Sequence, residues 1–283
     1  MTRIQSTSLA IRGGFVLFHL ACLLALYTGI STAAAVTALV TYAVRALGVT
    51  AGYHRYFAHR SFRTGRVFQF ILAFFGGLAI QGGVLWWVAH HREHHKYTET
   101  KKDIHSPTIY GLWQAHIGWM LHEECLRVSQ ANVKDLARIA ELKWLQRNYG
   151  LLIIGQAVTL YLFGAGLNYF FPQLGTSGLQ ILVWSFFIST VLLWHSTFMV
   201  NSVCHRWGSR PYDAGDDSTN NLLIGILAMG EGWHNNHHKF AYSARHGLRW
   251  YQIDMTWYLL RLLAALGVVS DLKLPRAADL QTG

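Results

Sequence analysis

Nine of the sixteen histidines in this chain fall in three short groups. His54 and His59 stand in H-R-Y-F-A-H; His90, His91, His94 and His95 in H-H-R-E-H-H; His234, His237 and His238 in H-N-N-H-H. Neutral imidazole is a common nitrogen ligand of zinc, iron, copper and nickel, so such clustering points to a metal centre. Positions i, i+3 and i+4 share a helix face. His91, His94 and His95 are therefore expected to converge on one point, and His234, His237 and His238 on a second, giving two half-sites. His90 is assigned to the layer behind the ligands, because His91 already completes the H-x-x-H-H pattern. Glu93 and Glu231 are the nearest acids, and both are expected to orient ligand N–H groups. With few carboxylates beside so many neutral imidazoles, the centre is expected to be cationic once two divalent ions bind. Isolated histidines such as His19, His116, His122 and His246 read as hydrogen-bonded core or interfacial side chains.

The elements that must carry these groups are strongly apolar. The 283 residues are 52% hydrophobic and 13% charged, against about a quarter charged in a soluble domain. No Asp, Glu, Lys or Arg occurs in residues 13–44 or 148–205. Each window is long enough for two membrane crossings of about 20 residues. Breaks at residues 27–32 and 171–175 give spans near 14–30, 32–50, 149–170 and 180–201. Neither hairpin tip is charged, whereas basic residues crowd the open ends. By the positive-inside rule, both termini and the middle segment then lie in the cytoplasm, which in a bacterial chain would mean the inner membrane. The formal charge of +10 collects on that face, where it suits anionic lipid or a phosphate-bearing substrate rather than a nucleic acid. Arg3, Arg12 and Ala33-Ala34-Ala35 imitate a secretory signal, but the apolar pattern continues to Val44 as a second span, and no cleavage is expected.

The fold expected is an all-α integral membrane domain over residues 1–283. It has four transmembrane helices in two hairpins and a cytoplasmic helical cap, residues 51–148 and 202–275, that carries a histidine-rich dimetal site. Residues 67–91 form a third uncharged stretch, but a crossing there would separate His54 and His59 from His91, His94 and His95. It is therefore expected to bend at Gly76-Gly77 and Gly82-Gly83 and stay on one side. Cap helices are expected at 104–125, 133–144 and 254–266. Cys22, Cys125 and Cys204 are far apart, contain no C-x-x-C pair, and read as packing residues.

These boxes, in this order between hairpins, resemble the integral membrane fatty-acid desaturase family, especially its acyl-CoA branch and the bacterial and plant acyl-lipid relatives. The resemblance covers residues 42–274 and rests on H-R-Y-F-A-H, H-R-E-H-H, N-S-V-C-H at 201–205, G-S-R-P-Y-D at 208–213 and G-E-G-W-H-N-N-H-H-K-F at 230–240. It implies nine metal-binding histidines: His54, His59, His91, His94, His95, His205, His234, His237 and His238. It further implies that Asn201 reaches one metal through water and that Gln81, Trp87 and Thr197 line the bend of an acyl chain. It selects a pair of iron ions, with molecular oxygen as co-substrate, and implies a cis double bond between carbons nine and ten. One departure stands out: Ala89-His90 occupies the place of an Arg-Asp pair found in animal acyl-CoA members. The carrier of the fatty-acyl substrate is therefore either coenzyme A or a membrane lipid, with Arg55, Arg60, Arg63, Lys96, Lys101 and Lys102 as candidate phosphate contacts.

Electrons are expected from a separate ferredoxin, flavoprotein or cytochrome, because Gly164-x-Gly166 and Gly230-x-Gly232 lack the third glycine of a dinucleotide site. Two rival functions use the same histidines. A membrane di-iron hydroxylase would insert oxygen instead of removing hydrogen. A histidine-rich metal carrier would need polar residues along a crossing path, where the spans offer little beyond His19, Gln156 and His195.

Overall fold

A computed structural model describes residues 3–126 and 129–280 of the chain. In chain order its main elements are α1 (Thr7–Thr28) and α2 (Thr32–Ala58); β1 (Arg63–Thr64), α3 (Arg66–Gly77), α4 (Val84–Tyr97) and α5 (Ala140–Arg147); α6 (Tyr149–Phe170) and α7 (Gly178–His205); and α8 (Leu222–Leu227), α9 (His234–Lys239), α10 (Met255–Ala265) and β2 (Val269–Ser270). Helices α1, α2, α6 and α7 are long and apolar enough to cross a membrane. Only 6% of the apolar window of α1 and 11% of that of α6 is buried within the chain. Leu17, Leu20, Leu26, Ile154 and Leu162 all face outward, an apolar surface that asks for lipid rather than water.

The two hairpins are joined at their tips. Gly29 turns the chain with φ +60°, and Ser31 Oγ accepts from Ala34 N to start α2. From the second hairpin, Trp184 Nε1 donates to Gly29 O at 2.7 Å and Gln180 Nε2 donates to Thr28 O at 2.7 Å. Backbone oxygens at the hairpin tip, where no helical partner remains, are thereby satisfied.

The ends of α2 and α7 differ from expectation in a way that matters for the site. Rather than stopping near residues 50 and 201, they continue to Ala58 and His205, so the membrane-type helices themselves carry His54 and His205. Wide, π-type turns at Gly48–Ala58 accompany the extension of α2, a distortion that often marks functional sites. At Gly48 a Cβ would lie 2.4 Å from the Phe75 carbonyl carbon, so only glycine permits this approach of α2 to α3. Arg45, expected on the basic flank, is instead 1% exposed between α2 and α7. It donates to Thr41 O, Ser185 O, Ser189 Oγ and Thr190 Oγ1. Four oxygens spread a charge that would be costly if left unbonded.

Helices α3 and α4, of 12 and 14 residues, fold back on each other through a turn containing Ile80 at φ +56° and Gly82 at φ +97°. Each is shorter than the roughly 20 residues needed to cross, and the turn returns α4 to the histidine side, as expected. The cap is less regular than expected. Residues 104–125 hold a turn at Pro107–Tyr110 and a continuous helix over 112–121 with wide turns at Gln114–Gly118, since Pro107 starts a turn that Gly111, at φ +82°, ends. In the 133–144 region the only α-helix is α5. Helix α10 forms as expected, with Asp254 Oδ1 accepting from Trp257 N. A two-residue antiparallel ladder, Arg63↔Ser270 and Thr64↔Val269, departs from the all-helical expectation and ties the segment after His59 to the C-terminal region. Cys125 and Cys204 are buried and all three cysteines are unpaired.

Candidate metal centre

All nine histidines come together, in one group of five and one of four. His54, His59, His91, His95 and His237 present ring nitrogens within 4.8 Å of one another, and so do His94, His205, His234 and His238. In the first group the Nε2 atoms of His59 and His91 are 2.7 Å apart, those of His54 and His237 3.0 Å, and those of His95 and His237 2.9 Å. In the second, Nε2 of His205 lies 3.0 Å from Nε2 of His234. The groups adjoin, with the rings of His95 and His238 centred 4.6 Å apart.

The expectation of one half-site for each H-x-x-H-H box is therefore corrected. On α4, His91 and His95 enter the five-membered group while His94 enters the other; on α9, His234 and His238 stay together while His237 crosses over. Helical geometry explains the split. At about 3.6 residues per turn, an i, i+4 pair is rotated by only ~40°, whereas consecutive residues diverge by ~100°. Each box thus keeps its i, i+4 pair on one ion position and sends the intervening histidine to the other.

Four carboxylates, most of them unforeseen, stand behind the imidazoles. Asp103 Oδ2 accepts from His94 Nδ1 at 2.9 Å, Asp216 Oδ2 from His238 Nδ1 at 2.5 Å, and Glu99 Oε1 from His205 Nδ1 at 3.2 Å. Glu231 Oε2 approaches His54 Nδ1 to 2.6 Å, as its expected orienting role requires. A carboxylate on Nδ1 fixes the proton there and leaves the Nε2 lone pair facing the centre. Glu99 adopts φ +59°, a conformation costing ~1–3 kcal/mol that is tolerated where function demands it. Glu93 does not join this set. It lies two residues from His91, on another face of α4, and its carboxylate meets Asn132 Nδ2 at 3.5 Å. His90 likewise turns elsewhere: Nε2 donates to Cys125 O at 2.7 Å and the ring packs on Trp86 and Trp119.

The surroundings disfavour protonation of six of the nine imidazoles. Burial, reinforced by neighbouring imidazoles, holds His59, His91, His95, His234 and His237 well below their ordinary value. His238 is pushed down to about 3 by burial, although Asp216 pulls the other way. Burial alone would raise Glu231, but His54, His246 and Arg55 more than offset it and hold the carboxyl well below the usual range.

This donor set fits metal ions. Nδ1 of His238 is occupied by Asp216, and its buried Nε2 has no hydrogen-bond partner. Clustered nitrogen lone pairs repel one another without a cation among them, and neutral imidazole ligands suit zinc, iron, copper and nickel alike. Residues 99, 103 and 216 escaped the sequence reading because they sit in irregular segments after the second and before the third box, where helical spacing gives no guide.

The remaining site residues gather on the apolar side. Trp87, Thr197 and Asn201 line a cavity of about 50 Å³ together with His54, His91, His94 and His234. They also line an adjoining cavity of about 60 Å³ that includes Gln81. Gln81 Nε2 donates to Thr197 Oγ1 at 2.9 Å, and Trp87 stacks on His91 with ring centres 5.1 Å apart. A larger cleft of about 550 Å³, lined by Val44, Phe75, Trp144 and Leu152, includes none of the nine histidines. Of the candidate phosphate contacts, Arg55 is buried and paired with Glu231 and Asp254, which removes it from that role. Arg60 and Arg63 pair with Asp135 and Asp271, while Lys96 and Lys102 both lie over the Tyr97 ring.

Four apolar helices and a polyhistidine site beside an apolar cavity define a membrane-type helical protein with a donor set suited to metal ions. The fatty acid desaturase family model matches residues 30–270, and the chain belongs to that family. It is 45% identical over 233 residues to an acyl-CoA C20 Delta5-desaturase of Anemone leveillei, covering 81% of this chain and 70% of that one. It is 41% identical over 262 residues to Delta-9 acyl-lipid desaturase 1 of Arabidopsis thaliana, covering 91% and 80%. With an sn-1 stearoyl-lipid 9-desaturase of Anabaena variabilis it shares 39% identity over 266 residues, 92% of each chain.

Proposed function

We propose that this protein is an oxygen-dependent di-iron desaturase that introduces a cis double bond between carbons nine and ten of a saturated acyl chain. The observation that carries the reading is the convergence of nine buried or half-buried imidazoles in groups of five and four, with His54, His91, His94 and His234 lining the cavity that also holds Trp87, Thr197 and Asn201. The nine histidines would hold the two ions, and Asn201 would reach one of them through water. When bound, the two irons supply oxidising power: one molecule of oxygen, two electrons and two protons are consumed, two hydrogens leave a methylene pair, and two water molecules form.

The side chains supply everything else. The carboxylates of Glu99, Asp103, Asp216 and Glu231 hold four imidazoles with their Nε2 lone pairs toward the ions. Trp87 and Thr197 shape the apolar wall against which the chain bends, and Gln81 fixes the Thr197 hydroxyl. The cavities of about 50 and 60 Å³ are small beside the roughly 300 Å³ or more of an ordinary ligand pocket, so the wall between them must part before an acyl chain threads it. Exclusion of water from that wall protects the reaction from side chemistry.

The nine–ten position is supported by the match to the Anabaena variabilis 9-desaturase over 92% of both chains. Coenzyme A or a membrane lipid carries the acyl group. Both termini and the histidine-bearing cap face the cytoplasm, and a ferredoxin, flavoprotein or cytochrome delivers the electrons. Expression in a host rich in saturated acyl chains, followed by lipid profiling with double-bond positions assigned, tests the reading. New cis-9 chains are expected; a hydroxylated chain without a new double bond defeats it.

A further inference from the structure

We infer that His105 and His246 are positioning residues of the metal centre, one for each histidine group, each acting through a carboxylate that it shares with a ligand imidazole. The inference rests on the dimetal reading given above. Asp103 is held from both sides: Oδ2 accepts from His94 Nδ1 at 2.9 Å and Oδ1 from His105 Nδ1 at 2.5 Å. Glu231 repeats the arrangement in the other group. Its Oε2 faces His54 Nδ1 at 2.6 Å and His246 Nδ1 at 3.1 Å, and Arg55 Nη2 donates to Oε1 at 3.0 Å.

Neither outer histidine belongs to a histidine box. Yet His246 is 1% exposed and His105 8%, and their rings lie 4.5 Å from His237 and 4.6 Å from His94. A carboxylate bonded only to its ligand imidazole can swing about its side-chain torsions and take the ring with it. A second imidazole on the same carboxylate removes that freedom, and so sets the direction of the Nε2 lone pair toward the ion. Burial of two further imidazoles beside a cationic centre is costly unless they are paired; Asp103 bonds His105, and the Glu231 carboxylate stands within ion-pair reach of His246.

A packing role and a positioning role separate by substitution. His105→Phe and His246→Phe keep the ring volume and lose the donor; His105→Asn and His246→Asn lose volume and keep a donor near Nδ1. Each full-length variant, purified in detergent and reloaded with ferrous iron, is assayed for iron per chain, for iron affinity, and for the Mössbauer spectrum of isotopically enriched iron. Each Phe variant is expected to lose about 10–100-fold in affinity at one position only, leaving residual irons whose spectra differ between His105→Phe and His246→Phe. The Asn variants are expected to keep wild-type affinity. Wild-type affinity in both Phe variants, or equal losses in the Asn and Phe variants, overturns the inference. If a Phe variant fails to fold, the matching Asn variant decides: weakened iron binding overturns the inference, and retained binding supports it. Wild-type protein that takes up fewer than two irons overturns the dimetal reading instead.

Discussion

The five-imidazole and four-imidazole groups are made of one residue type and differ in what stands behind it. In the four-membered group, His94, His205 and His238 each contact a carboxylate through Nδ1. In the five-membered group only His54 does so, through Glu231, and that carboxylate also neutralises the buried Arg55. The larger group therefore offers more nitrogen donors and less negative charge. An ion there is held by number of ligands, whereas an ion in the smaller group is held by ligands made more basic from behind. The lesson is that counting histidines ranks the two positions in the wrong order of electrostatic support.

The largest effect should come from removing a ligand. His237→Ala in the five-membered group and His94→Ala in the four-membered group are each expected to abolish double-bond formation in expressing cells while the protein still inserts in membranes. Retained activity in either variant would contradict its place in the centre. Next in size, Asp103→Asn and Glu231→Gln should weaken iron binding by about 10–100-fold, each at its own group. Titration with a chelator sharpens the comparison further: the five-membered group should release its ion first, and simultaneous release would erase the proposed difference.

Acid provides a smaller, graded test. Imidazoles held below their ordinary value stay neutral in the folded protein, while those of the unfolded chain take up protons below about pH 6.5. The unfolded state then binds more protons, so metal-free protein should lose stability steadily as pH falls from about 6.5, as His59, His91, His95, His234, His237 and His238 require. Thermal unfolding across that range checks the sign, and stability that rises on acidification would refute it. The smallest effect is expected at Glu93, which meets Asn132 rather than a ligand: Glu93→Gln should leave iron content unchanged.

Much of the molecule was legible in the residue order, for local reasons. An uncharged apolar run has few alternatives to a helix in lipid, so four helices appear at 7–28, 32–58, 149–170 and 178–205, close to where composition places them. The return of residues 67–91 to the histidines followed from the need to keep His54 and His59 beside His91, and Gly82 at φ +97° provides part of the turn. Within 104–125 a helix does form over 112–121, but its limits and the break at Gly111 were not legible, because they are fixed by packing against α1 and α7 rather than by a periodic pattern. His116 shows this: it bonds Ser202 and His195.

Within the centre, the boxes singled out eight of the nine converging histidines and the family resemblance supplied His205, which lies outside any box. The pairing of boxes into groups of five and four belongs to the tertiary structure, because the side of α4 that meets α9 depends on how both helices pack. So does the carboxylate layer. Glu99, Asp103 and Asp216 are 106, 9 and 22 positions from the imidazoles they hold, and among the described residues only the folded chain brings such distant charges within bonding distance.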